Sequence, residues 1–197
     1  MSFRNLILIV VLAVLAVVVV GGIIMLKKSS ANQLSPGQVL PSPSTTQGEN
    51  KMKLTSSAFE NNQFIPAKYT CDGQDINPTL SISDVSEGTQ SLALIVDDPD
   101  SPSGTFTHWL IWNISPQTAE ITEENIPSEA VQGKNDFGKV GFGGPCPSSG
   151  MHHYQFKLYA LDTTLDLASS VTKSDIEKAM QGHILDQTLL VGLYKRG

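Results

Sequence analysis

The chain has 197 residues, of which 16% are charged and 40% hydrophobic, and a formal net charge of −6. The first 50 residues carry three basic side chains and one acidic one, whereas residues 51–197 carry 10 Lys and Arg against 18 Asp and Glu, a net of −8. A domain this acidic argues against nucleic-acid binding, which needs a basic face, and two cysteines rule out both a disulfide-dense mini-domain and a four-cysteine zinc site.

The first element in chain order is the apolar run Leu6–Leu26. As a helix, 21 residues would be about 32 Å long, which matches a hydrocarbon core of about 30 Å. The run is longer than the apolar region of a usual signal peptide, is followed by Lys27-Lys28, and lacks an A-x-A cleavage site. The expectation is a retained single-pass anchor within residues 1–28, so that the chain has the membrane as a partner through Leu6–Leu26. Residues 29–50 follow, 17 of them Ser, Thr, Pro, Gly, Gln or Asn. Such a stretch buries too little apolar surface to offset its ordering entropy, and it is expected to be a flexible linker. Linkers of this kind commonly join an anchor to an outward-facing domain, so residues 51–197 are expected to be an extracytoplasmic domain.

Within residues 51–197, short apolar runs alternate with Gly- and Pro-containing loops, a β pattern rather than a helical one. Strands are predicted at Thr79–Ser83, Leu92–Asp97, His108–Ile114, Tyr154–Leu161 and Thr188–Leu193. One helix is predicted, with Thr172 as N-cap, Lys173 to about Gln181 as its body and Gly182 as its stop. The long stretch Ser115–Gly150 has little periodicity, and loops of that length usually carry function or are disordered. The predicted fold is mostly β: a two-sheet antiparallel β-sandwich with one or two peripheral helices, preceded by a single transmembrane helix.

Three polar segments interrupt this pattern. Asp97-Asp98-Pro99-Asp100-Ser101-Pro102 directly follows an apolar strand and places three carboxylates within four residues. Asp98-x-Asp100 looks like the start of a calcium loop, but Trp109 stands where such a loop needs its final Glu. His108 opens the next strand and, by strict alternation, shares a face with Leu110, Trp112 and Ile114. The Gly-, Pro- and Ser-rich loop Gly141–Gly150 then runs into Met151-His152-His153-Tyr154. Alternation puts His152 with Tyr154, Phe156 and Leu158 on the apolar face and His153 in solvent. If the two apolar faces meet, Asp98, Asp100, His108, His152 and Tyr154 form a small pocket suited to a phosphate or carboxylate head group. A carboxylate beside an imidazole favours the imidazolium, so the histidines are expected to attract an anion by their charge.

These segments resemble the phosphatidylethanolamine-binding proteins, also called Raf kinase inhibitor proteins, and within them the bacterial and archaeal branch. The resemblance rests on Asp98-Pro99-Asp100-Ser101-Pro102 with His108-Trp109, on Asp136-Phe137-Gly138-Lys139, and on Gly141-Phe142-Gly143-Gly144-Pro145-Cys146-Pro147. Gly150-Met151-His152-His153-Tyr154, Tyr159-Ala160-Leu161-Asp162, Tyr69-Thr70-Cys71-Asp72-Gly73 and Asn77-Pro78 complete it. It implies a β-sandwich with an anion pocket at one end, lined by Asp98, Asp100, Pro102, His108, Pro145, Gly150, His152 and Tyr154. It implies as partners a phosphorylated small molecule, a lipid head group or a peptide, and for some members the inhibition of a kinase or protease. At the position after Gly-x-His, where the family usually has Arg or Lys, this chain has His153.

The reading is therefore of a binding or inhibitory module with no catalytic residue, no cofactor and no metal. The rival is a hydrolase that uses Cys146 as nucleophile or a metal held by His108, His152 and a carboxylate. Cys146 is either a free thiol or pairs with Cys71, the only other cysteine, and an even count in an outward-facing domain favours the bridge. Asn113-Ile114-Ser115 matches a glycosylation acceptor but lies within a predicted strand.

Overall fold

The computed structural model describes residues 52–197. Their strands are β1 (Lys53–Ser56), β2 (Gln63–Phe64), β3 (Leu80–Ser83), β4 (Ser91–Asp98), β5 (Phe106–Ile114), β6 (Glu120–Ile121), β7 (Val131–Gln132), β8 (Met151–Leu161) and β9 (Ile184–Lys195). A 3-10 turn, Ala67–Tyr69, lies between β2 and β3, and the helix α1, Lys173–Met180, lies between β8 and β9. One sheet has the order β1-β3-β6 and the other β2-β9-β8-β4-β5-β7. Pairing is antiparallel except at one edge, where β2 runs parallel to β9 and Phe64 stands opposite Leu193. This edge corrects the expectation of a wholly antiparallel sandwich.

The central strand β4 is buried along its whole length because both faces of the large sheet are covered. One face carries Leu92, Leu94 and Val96 and meets Leu54, Leu80, Ile82 and Ile121 of the small sheet in the main core. The other carries Ala93 and Ile95, which pack with Leu110, Trp112, Leu161, Leu165 and the α1 residues Ile176 and Met180. The helix begins where predicted: the Thr172 backbone N–H and hydroxyl both donate to the Asp175 carboxylate, at 2.8 and 2.7 Å. It ends at Met180, with Gly182 at φ +82° turning the chain toward β9.

Strict alternation fails in β5, and the failure matters for the site. Val96 pairs with Trp109 but Asp97 with Thr107, which leaves His108 as an extra residue in β5. Leu92 pairs with Ile114 but Leu94 with Ile111, so a second extra residue lies near Asn113, whose φ is +56°. Each bulge shifts the phase of the strand by one residue. Leu110 and Trp112 therefore face the helix, while Trp109, Ile111 and Ile114 face the main core. The predicted grouping of His108 with Leu110 and Trp112 is corrected: the bulge turns the imidazole to the opposite face. Asn113 is engaged through both ends of its amide, with Nδ2 donating to Leu165 O at 2.9 Å and Oδ1 accepting from Leu165 N–H at 2.8 Å. The amide of the glycosylation-like triplet is thus a structural clamp.

The membrane part of the expected fold is corrected as well. Among the described residues no helix is long and apolar enough to cross a membrane. The α-helix found there has eight residues, Lys173–Met180. The expected anchor at Leu6–Leu26 and the linker at 29–50 lie outside the described residues. The architecture supported is the mostly-β sandwich with one helix.

Candidate functional site

The carboxylate-rich segment at the end of β4 is sorted by the pleat. Asp97 points to the helix side, where it is fully buried and meets Lys157 Nζ at 2.9 Å and the Lys173 ammonium. Asp98 points to the main-core side, where its Oδ2 lies 2.7 Å from His152 Nδ1 and its Oδ1 accepts the Asp100 N–H at 2.9 Å. Asp100 lies on the exposed turn, and its Oδ2 accepts from the His153 backbone N–H at 2.8 Å and pairs with His153 Nδ1 at 2.7 Å. Each of the three carboxylates thus has its own partner, which removes the mutual repulsion expected from their spacing. His153 is exposed, as alternation predicted, and holds the Asp100 carboxyl below its ordinary range through these two hydrogen bonds.

A cavity of about 180 Å³ opens at this end of the large sheet. Its walls are Asp98, the Ser101–Ser103 turn, Phe106 and His108 of β5, Phe137, the Cys146–Ser148 segment, and His152 and Tyr154 of β8. Tyr154 stands between the two histidines: its ring centroid lies 5.1 Å from that of His108, edge to face, and 6.5 Å from that of His152, nearly parallel. His108 and His152 are 3% and 7% exposed, Asp98 3% and Tyr154 1%. The Tyr154 hydroxyl is buried beside the Cys146 backbone and has no hydrogen-bond partner of normal geometry.

The long loop between β7 and β8 builds the far wall. Thr107 N–H donates to Asp136 Oδ2 at 2.6 Å and Asp136 N–H returns a bond to Thr107 O at 3.0 Å, which fixes Phe137 against Phe106 at 4.7 Å and His108 at 5.4 Å. Gly143 N–H donates to His108 O at 3.0 Å, and His108 Nδ1 lies 2.7 Å from Gly143 O. Gly144 N–H donates to Asp75 Oδ1 at 2.6 Å. A side chain at Gly144 would meet the Tyr69 carbonyl oxygen at 2.5 Å, so this approach of two backbones requires glycine. Cys71 and Cys146 are bridged, with Cα atoms 5.4 Å apart, and both lie at the surface.

Electrostatics differ from the expectation. Burial pushes the His108 imidazole below its ordinary value, against the opposing pull of the Gly143 carbonyl and the Asp98 charge. His108 is thus a neutral ring at pH 7, not the expected imidazolium. Burial, aided by the Asp98 charge, raises the Tyr154 hydroxyl well above its usual range, so it stays protonated and able to donate.

Of the residues predicted for the site, Asp98, Pro102, His108, His152 and Tyr154 line the cavity. Asp100, Pro145 and Gly150 do not. Asp100 serves His153, Pro145 O accepts the Cys71 N–H at 3.1 Å, and Gly150, at φ +77°, turns the loop into β8. Ser101, Ser103, Phe106, Phe137, Pro147 and Ser148 were not predicted to line it. Phe106 and Phe137 carry no polar signal in the sequence; only their tertiary meeting over His108 reveals them. The Cys146 sulfur is bonded to Cys71, which removes it as a nucleophile. Among the described residues no group of three or more His, Cys, Asp or Glu is arranged to hold a metal ion.

The family model described as phosphatidylethanolamine-binding protein matches residues 55–195. A UPF0098 protein of Pyrococcus horikoshii is 55% identical over 160 residues, covering 76% of this chain and 80% of its own length. Another, from Methanothermobacter thermautotrophicus, is 50% identical over 152 residues, covering 74% of this chain and 100% of its own. The crystal structure of a putative phosphatidylethanolamine-binding protein homologue from Chlamydia trachomatis superposes with a TM-score of 0.72 at 42% identity, covering 75% of this chain and 99% of its own. Escherichia coli YbcL, described as a new member of the mammalian family, superposes with a TM-score of 0.71 at 30% identity and with the same coverage. The expected single-pass, extracytoplasmic localisation, and the membrane as partner, are corrected with the fold: what these relatives share with the chain is the β domain, and no helix able to span a bilayer lies among its described residues. By sequence match and by fold, the chain belongs to the phosphatidylethanolamine-binding protein family.

Proposed function

We propose that the cavity between β4, β5 and β8 binds a small oxyanion, with a phosphorylated small molecule, head group or peptide as its ligand class. The observation that carries this reading is the Tyr154 hydroxyl, buried in the cavity wall beside the Cys146 backbone with no partner of normal geometry. Buried polar groups are satisfied by protein, water or ligand, and a hydroxyl left without a well-formed bond in a cavity wall marks a place for an acceptor. Two imidazoles flank it, each held through Nδ1, which leaves Nε2 of each for a ligand. The cavity, about 180 Å³, has room for a phosphoryl group and part of the molecule that carries it. A ligand of this class attached to a kinase or protease is the route by which the chain would inhibit one. The hydrolase reading lacks support, since Cys146 is bridged.

Isothermal titration with a phosphate monoester tests the reading. His152→Ala should lose a hydrogen bond to a charged group, about 1.5–3 kcal/mol or roughly ten- to a hundredfold in affinity. Tyr154→Phe should weaken binding by a smaller factor. His153→Ala should change it little, because His153 turns away from the cavity toward Asp100. Equal losses in His152→Ala and His153→Ala would refute the assignment.

A further inference from the structure

The cavity has an unusual inventory for an anion site. Neither Lys nor Arg is among the described residues that line it, and its one acidic residue is Asp98. The two imidazoles are fixed in tautomer by their partners. His108 Nδ1 faces the Gly143 carbonyl, which only accepts, so Nδ1 carries the hydrogen and Nε2 of the neutral ring is a lone pair. His152 Nδ1 faces the Asp98 carboxylate, so the same holds there when the ring is neutral. Donors come from elsewhere in the wall, from the hydroxyls of Tyr154 and the serines. A ligand that satisfies both sets must bring acceptor oxygens and at least one hydrogen of its own.

We propose that the site takes a phosphate monoester as its protonated monoanion and discriminates against sulfate, because Nε2 of the His108 ring accepts and the Asp98 carboxylate repels a second negative charge. The inference rests on the phosphoryl-binding reading above and specifies the form of the ligand. The P–OH hydrogen is donated to an imidazole Nε2, and the other oxygens accept from the hydroxyls. Sulfate has the same shape but carries no hydrogen near neutral pH, so it would set bare oxygens against lone pairs. The charged and titratable groups around the two rings are Asp98 from β4, Asp136 from the far loop, Tyr154 from β8, Tyr194 opposite His152 in β9, and Asp100 on the turn. Among them, His153 holds the Asp100 carboxyl below its ordinary range, and burial keeps the Tyr154 hydroxyl protonated. Burial lowers the His108 pKa and so favours its neutral ring, which makes the ligand the natural source of the shared proton.

The test is a titration of the protein with glycerol 3-phosphate and with sulfate, each at pH 6 and pH 8. The second pKa of a phosphate monoester is about 6, so its monoanion falls from about half to about one part in a hundred across this range. The apparent affinity for the phosphate ester should fall about fiftyfold between pH 6 and pH 8. Sulfate should bind at least tenfold more weakly than the ester at pH 6. Sulfate binding as tightly as the ester at pH 6 would overturn the proposal, because the proton would then be supplied by His152. An ester affinity that is unchanged between the two pH values would overturn it too; in both cases phosphoryl binding itself would stand. No binding of either anion at either pH would overturn the binding reading along with it. As a second variant, His108→Gln sets an amide, which can rotate to donate, near the Nε2 position, and it should narrow the gap between sulfate and phosphate ester.

Discussion

His152 Nδ1 lies 2.7 Å from Asp98 Oδ2, in a pair whose side chains are 9% and 5% exposed. The aspartate is the last residue of β4 and the histidine the second of β8, so the contact joins two neighbouring strands at the rim of the large sheet. It fixes which ring nitrogen meets the cavity and gives a carboxylate at the sheet edge a buried partner. A pair of this kind is costly to break on one side, because the group left behind stays buried. Asp98→Ala and His152→Ala should each lower stability by about 1–3 kcal/mol. The double variant should cost less than the two together, and strictly additive losses in urea denaturation would show that the contact carries no coupling.

The Cys71–Cys146 bridge closes a loop of 75 residues and ties the cavity wall to the turn that follows Tyr69. Because it limits the unfolded chain, Cys71→Ser/Cys146→Ser should lower stability by about 2–4 kcal/mol. Both cysteines lie at the surface, so a dithiol reductant should bring the wild-type protein to nearly the same melting temperature as the double variant. A melting temperature insensitive to both treatments would show that the hydrogen bonds of Gly144 and Pro145 hold the wall without the bridge.

His108 gives a pH dependence with a defined sign. Its folded pKa is lowered from the ordinary 6.5 by burial, so between the two values the unfolded chain binds more protons than the folded one. Stability from this group is present above about pH 6.5 and is lost as pH falls toward the folded value. Wild-type stability should decline from pH 7 to pH 5, and His108→Gln should flatten part of that slope. NMR of the ring protons should show His108 titrating below 6.5; a midpoint above it would mean that the Asp98 charge outweighs burial.

Two adjacent glycines should respond differently to alanine. At Gly143 the added methyl would meet the edge of the Phe137 ring at 2.5 Å, and Phe137 is 44% exposed and able to move. At Gly144 it would meet the Tyr69 carbonyl oxygen at 2.5 Å and the Thr70 backbone at 2.9 Å, neither of which yields easily. Gly144→Ala should therefore cost about 1–3 kcal/mol as an overpacked site. Gly143→Ala should cost less but alter ligand affinity by displacing Phe137 from the cavity. Thermal melts and phosphate-ester titrations of the two variants distinguish these effects.

Much of this domain was legible in the order of its residues. The all-buried run of β4, the alternation His152, Tyr154, Phe156, Leu158 in β8, and the Thr172 cap of α1 follow from local pattern, since period and capping chemistry act over a few residues. The same locality made the expectation of a spanning helix from Leu6–Leu26 a statement about apolar length, and no such helix lies among the described residues. What alternation could not supply was the aim of His108. Its placement beside Tyr154 depends on a bulge in β5, and a bulge is decided by how β5 registers against β4, a non-local pairing with no mark in the strand itself. Burial likewise decided the charge of that imidazole: sequence proximity to carboxylates argued for a cation, whereas desolvation inside the sandwich outweighs the nearby Asp98. Phe137, Ser148 and the Cys71–Cys146 bridge come to the cavity from segments far apart in the chain. The sequence by itself thus determined the strands, the helix cap and the residue types available for chemistry, because these depend on neighbours along the chain. Tertiary packing alone decided which of those residues share a cavity and in what protonation state, because register and desolvation are set by residues that meet only in the fold.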